Sequence, residues 1–96
     1  MSEPASQTVV RTARPQVPAL PPFKVLLHND DVNTIEHVVV TIEELTPLNR
    51  VRAFEVMREA HTKGLALVLT THKERAELYA EQFQSKSLTV TIEPAD

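Results

Sequence analysis

Cysteine is absent and glycine occurs once, and these two shortages remove several chemistries together. Without cysteine there can be no disulfide, thiolate nucleophile or thiolate zinc site, and nothing calls for an oxidising compartment. A single glycine cannot build a phosphate-cradling Gly-rich loop. Long hydrophobic runs are also missing: none approaches the roughly 20 residues that span a bilayer, and the first residues lack the apolar segment of a secretory signal. The expectation is a cytoplasmic chain with no membrane partner. Nor is there an excess of positive charge. Ten Lys and Arg stand against thirteen Asp and Glu, a formal charge of −3, so nucleic acid is not an expected partner. What is present is ordinary: 96 residues, 42% hydrophobic and 24% charged, suit one small globular core and exclude a two-domain enzyme.

The first 22 residues carry Pro4, Pro15, Pro18, Pro21 and Pro22, five of the seven prolines, with no apolar period that could be buried. Proline removes backbone donors and biases its neighbours toward extended conformations, so 1–22 is expected to be a disordered, Pro-rich arm and 23–96 the folded core. Phe23–His28 reads as a strand closed by the turn formers Asn29, Asp30 and Asp31. Ile35, Val38, Val39, Ile42 and Leu45 then recur on one helical face, with Asn33 and Glu36 in capping-box spacing. Thr46-Pro47 predicts the start of a second helix with a broad apolar face, Leu48, Val51, Phe54 and Met57 beside Ala53, Val56 and Ala60, ended by Gly64. Leu65–Leu69 is a continuous apolar run, expected as the middle strand of the sheet. Thr71 and Glu74 suggest a third helix with Ala76, Tyr79, Ala80 and Phe83 inward, and Leu88, Val90 and Ile92 alternate as a last strand. The order is β-α-α-β-α-β. The fold class is α+β, a three-stranded antiparallel sheet with three helices on one face.

Asn29-Asp30-Asp31 is the densest polar cluster, and two readings fit it. Such residues form turns and favour a following helix dipole; they equally offer acceptors to a cation or an ammonium group. His61, near the end of the second helix, is open in the same way: it can interact with unpaired helix carbonyls, or it can serve a site. The four histidines show no metal-binding spacing, and Asp30, Asp31 and His61 alone are too few for a hydrolytic metal centre. Serine occurs only in the arm and at Ser85 and Ser87, without a nucleophile-elbow signature. No catalytic residue, metal or cofactor is expected, and the chain is read as not an enzyme.

Taken together, Lys24-Val25-Leu26-Leu27-His28-Asn29-Asp30-Asp31, Asn33-Thr34-Ile35-Glu36-His37-Val38, and Met57-Arg58-Glu59-Ala60-His61 with Gly64 resemble the ClpS family. That resemblance implies an adaptor that binds proteins with a bulky N-terminal Leu, Phe, Tyr or Trp and delivers them to the AAA+ unfoldase of the Clp protease, of ClpA or ClpC type. It implies that Asn29, Asp30 and His61 hold the α-amino group, with Asp31 and Asn33 at the ligand backbone or rim. It further implies a pocket of Ile35, Val38, Met57, Ala60 and Leu88, Ile35 standing where Met is common, and an unfoldase contact at Glu74. A monomer is expected. The alternative in another class is a non-catalytic protein-docking domain of the same fold, similar to the C-terminal domain of ribosomal protein L7/L12. An asparagine, aspartate and histidine set of this kind has no purpose on a mere docking surface.

Overall fold

A computed structural model describes residues 20–95. The arm expected over 1–22 lies outside the described residues except for its last three positions. Six elements follow in order: β1 (Phe23–His28), α1 (Ile35–Leu45), α2 (Arg50–Lys63), β2 (Leu65–Thr71), α3 (Lys73–Ser85) and β3 (Val90–Pro94). The three strands form one sheet in the order β2-β1-β3, both pairings antiparallel.

The middle strand is therefore β1, not the Leu65–Leu69 run. A continuous apolar string suggests burial on two faces, but β2 is an edge strand whose Leu65 and Leu67 remain 41% and 38% exposed. Leu26 on β1 faces the same open side, yet it is only 8% exposed because Leu67 and Thr91 flank it in register on either side. Central position, not hydropathy of the run, decides which strand is covered. The β1–β2 register also jumps: Val25 faces Leu69 while Leu26 faces Leu67, so Val68 is a bulge residue. The extra residue puts Val68 and Leu69 both against the helices, Val68 buried and Leu69 packed on the core.

Helix boundaries fall later than the capping patterns suggest. Thr34, not Asn33, caps α1, its Oγ1 accepting from the His37 backbone N–H at 3.0 Å. Thr46 ends α1 instead of starting α2: its hydroxyl donates to the Ile42 carbonyl at 2.7 Å and accepts from the Leu48 N–H at 3.1 Å. Asn49 then caps α2 through the Arg52 N–H, 2.8 Å away. His72, rather than Thr71, takes that role for α3, its Nδ1 accepting from the Arg75 N–H. Gly64 does end α2 in the left-handed conformation, φ 88°, with its N–H on the Ala60 carbonyl.

The helices cover one face of the sheet. Ile42 of α1, Ala53 and Val56 of α2, and Ala76 and Phe83 of α3 are fully buried against Val25, Leu27 and Val68. Only one of the two apolar stripes expected on α2 is wholly used. Val51 and Phe54 stay 69% and 46% exposed and line an open groove with Val39, Arg50, Glu55 and Arg58. Among the described residues no helix is long and apolar enough to cross a membrane.

Candidate ligand-binding site

The site forms where the loop after β1 meets the C-terminal end of α2. Two backbone hydrogen bonds fix the start of that loop: the His28 N–H donates to the Thr89 carbonyl at 2.9 Å, and the Asn29 N–H to the Gly64 carbonyl at 3.1 Å. The second bond places Asn29 against the turn that closes α2, three residues beyond His61. Sequence distance is thereby erased, since β1 and α2 are joined through a glycine turn that only a residue free of Cβ adopts without strain.

Within the loop, Asp30 is turned toward its own backbone. Its Oδ1 accepts from the Val32 N–H and the Asn33 N–H, each at 2.9 Å, and the Asn33 side-chain amide donates to Oδ1 at 3.3 Å and Oδ2 at 3.1 Å. The Asn33 backbone N–H, foremost, holds the Asp30 carboxyl below its ordinary value. Partial desolvation opposes this, while the Asn33 amide, the Val32 N–H and nearby His37 act in the same direction. Asp30 is thus an anion at neutral pH, and the turn reading of the polar cluster is correct for its Oδ1. Among the described residues Oδ2 carries a single partner and keeps accepting capacity for a ligand.

A cavity of about 40 Å³ opens beside this carboxylate, lined by Leu27, His28, Asn29, Asp30, Asn33, Ile35, Val38, Met57, Ala60 and His61. On the measure in which one water needs about 10–15 Å³, that is room for a few waters. The wall is divided by chemistry. Asn29, Asp30, Asn33 and His61 form a polar side, while Ile35 and Val38 from α1 and Met57 and Ala60 from α2 form an apolar one. The division follows from periodicity: Ile35 and Val38 are one helical step apart on α1, as are Met57, Ala60 and His61 on α2. Ile35, the first residue of α1, is 55% exposed and forms the lip.

Three expected residues lie elsewhere. Leu88, assigned to the pocket by resemblance, is not in the cavity wall; it is 2% exposed and belongs to the core beneath. Its carbonyl neighbour Ser87 occupies the left-handed region, and that turn sends the Leu88 side chain inward. Asp31 is exposed outside the cavity. Glu74 is exposed in the first turn of α3 and lines a separate shallow groove with His72, Arg75 and Leu78. Conversely, Leu27 and His28 line the cavity although no pattern singled them out. Strand alternation hides such residues, because the last positions of β1 serve the sheet and the cavity together. No group of three or more metal-ligating side chains occurs among the described residues.

The model for "ATP-dependent Clp protease adaptor protein ClpS" matches residues 19–91, all of the sheet but its last residues and all three helices. The chain belongs to the ClpS family. ClpS of Synechococcus elongatus, an ATP-dependent Clp protease adapter protein, is 47% identical over 77 residues, covering 79% of this chain and 81% of that protein. The ClpS of Gloeobacter violaceus is 35% identical over 91 residues and nearly its full length, 97%, is covered. Among solved structures, ClpS2 of Agrobacterium tumefaciens bound to L-phenylalaninamide superposes with a TM-score of 0.73 at 30% identity, over 78% of this chain and 98% of that one. The chain is an adaptor of the Clp protease by family, and its α+β sheet and helices are those of ClpS.

Proposed function

We propose that this ClpS captures proteins through their first residue, a bulky hydrophobic Leu, Phe, Tyr or Trp, and delivers them to the Clp unfoldase. The observation that carries the reading is one cavity with an anionic, acceptor-rich side and an apolar side. A free α-amino group, pKa about 7.7 to 8.0, is mostly ammonium at neutral pH and presents three donors. Asn29 Oδ1, the open lone pairs of Asp30 Oδ2 and the ring nitrogen of His61 that carries no hydrogen are acceptors for them, and a peptide bond or acetylated amine offers neither the charge nor the donors. The first side chain then enters between Ile35, Val38, Met57 and Ala60, displacing the few waters the cavity can hold. Full burial of a Leu or Phe side chain contributes about 1.5 to 3 kcal/mol, which is what separates bulky residues from small ones. An aromatic ring needs more room than the cavity has at rest, and the half-exposed Ile35 is the wall that can swing outward. The bound L-phenylalaninamide of the Agrobacterium protein, a free amine on an aromatic residue, supports this reading.

The remaining assignments extend it. Asp31 and Asn33 contact the ligand backbone at the rim, and Leu88 supports the pocket floor from the core. The adaptor works as a non-catalytic, cofactor-free monomer in the cytoplasm, with the exposed α3 face around Glu74 and the 1–22 arm meeting an unfoldase of ClpA or ClpC type, and with no role for nucleic acid. The deciding experiment is fluorescence anisotropy with peptides that differ only at residue one, Phe, Tyr, Trp, Leu, Ile, Val, Met and Ala, each with a free and an acetylated amine. Binding limited to free amines on bulky residues is expected. Binding indifferent to acetylation would overturn the ammonium site.

A further inference from the structure

The end of the site loop is held differently from its start. α3 closes with a reversed turn in which the Ser87 N–H donates to the Gln84 carbonyl at 3.0 Å and the Leu88 N–H to the Phe83 carbonyl at 3.1 Å. Ser87 takes φ 70°, a conformation that glycine usually supplies at this position and that a residue with a Cβ adopts at a cost. The turn leaves the carbonyls of Lys86 and Ser87 without helix partners, and each receives a donor from across the molecule. His37 Nε2 lies 2.8 Å from the Lys86 oxygen, and Asn33 Nδ2 lies 2.8 Å from the Ser87 oxygen. Carbonyls only accept, so His37 must carry its proton on Nε2 and the Asn33 amide nitrogen must face the turn. The same Asn33 nitrogen has a second hydrogen, and that one is directed at the Asp30 carboxylate. One side chain thus joins the Ser87 carbonyl to the charge at the site.

We propose that Asn33 and His37 are positioning residues, a two-point clamp that fastens the site loop and the first turn of α1 to the α3–β3 turn before a ligand arrives. The inference deepens the N-terminal-residue reading and rests on it for its functional consequence. Its physical reason is preorganisation. The backbone bonds from His28 and Asn29 anchor only the beginning of the loop, and the bonds Asp30 receives from Val32 and Asn33 are internal to it. They shape the loop without fixing where it stands. The clamp bonds span 49 and 54 residues of sequence, and they fix the carboxylate, Ile35 and Val38 relative to the body of the fold. A loop already ordered loses less conformational freedom on binding, which strengthens affinity with no new ligand contact. His37 does not line the cavity, and Gln at this position keeps a donor for the Lys86 carbonyl while removing the imidazole that acts on Asp30, so a rescue by Gln separates the clamp from that charge effect.

The test compares His37→Ala with His37→Gln, whose amide nitrogen can reach the Lys86 carbonyl in place of Nε2. Three measurements are made: anisotropy with an N-terminal Phe peptide, amide exchange at Val32 and Asn33, and long-range imidazole ¹⁵N spectra of the wild type. His37→Ala should weaken the peptide about five- to tenfold, the scale of one lost hydrogen bond, and speed exchange at both amides. His37→Gln should restore both to near the wild-type values, a rescue that a merely space-filling ring would not give. Unchanged affinity and exchange in His37→Ala, or a failure of Gln to rescue in a folded protein, would overturn the clamp, as would an Nδ1–H tautomer at His37. If the wild type binds no peptide at all, the ammonium-site reading fails, and the tautomer and exchange data still decide whether the clamp orders the loop.

Discussion

Replacing Asp30 with Asn separates the two jobs that the structure gives this carboxylate. The substitution is isosteric, so the remaining amide oxygen can still accept from the Val32 and Asn33 N–H groups that Oδ1 now holds at 2.9 Å. What changes is the other end. The new NH₂ faces the Asn33 amide, donor against donor, where Oδ2 now accepts at 3.1 Å. Losing that bond and the charge assistance to the others should cost about 1–2 kcal/mol of stability, small enough to leave the chain folded. Ligand affinity loses a different quantity. A carboxylate and an ammonium about 5 Å apart at an effective dielectric near 20 attract by roughly 3 kcal/mol. With part of that screened at a half-exposed site, the loss is about 2–3 kcal/mol, or about 30- to 150-fold in Kd. The assay is anisotropy with paired N-terminal Phe peptides, free and acetylated, on wild type and Asp30→Asn. The advantage of the free amine should shrink by that factor in the variant, while the weak binding of the acetylated peptide stays nearly constant. A folded Asp30→Asn protein that binds the free amine within twofold of wild type would refute the charge assignment and leave Asp30 as a turn residue only.

Other expectations are as direct. Because the Asn33 and Val32 donors hold Asp30 below its ordinary value, the stability it contributes is complete above about pH 5 and is lost as pH falls through and below the carboxylate range, so the gap between the urea midpoints of wild type and Asp30→Asn should narrow steadily as pH is lowered. Gly64→Ala should destabilise by about 1 kcal/mol in urea unfolding; an added Cβ would meet nothing within 4 Å, so the cost is that of the backbone at φ 88° alone. Phe83→Ala, at a fully buried position of α3, should cost about 3–5 kcal/mol and is the variant most at risk of not folding, checked by thermal melting. Ile35→Ala should remove part of the lip and weaken an N-terminal Leu peptide by about threefold to tenfold while changing a Trp peptide less, because the opening admits the larger ring.

Much of this was legible from residues in a row. The apolar stripe of α3, the left-handed Gly64, the alternation of β3 and the division of α1 into sides are local consequences of helix and strand periods, and the run from Lys24 to Asp31 with Met57–His61 carried the family resemblance. Capping patterns were less dependable. Several polar residues stand near each helix start, and which of them caps is settled by where the chain is going: Thr46 closes α1 on the Ile42 carbonyl because Asn49 is there to open α2. The same dependence on position put the most hydrophobic strand at an edge and covered Leu26 by its neighbours. The site shows the division most clearly. Sequence supplied the kinds of groups, acceptors beside an aliphatic stripe, since composition along the chain fixes what chemistry is available. Only the tertiary structure decided that Asn29 reaches the end of α2 through Gly64, that Leu88 belongs to the core, and that Asn33 and His37 fasten the loop to carbonyls 49 and 54 residues away. Hydrogen bonds between distant segments leave no period in the sequence, because either partner alone is an ordinary polar residue or an anonymous carbonyl.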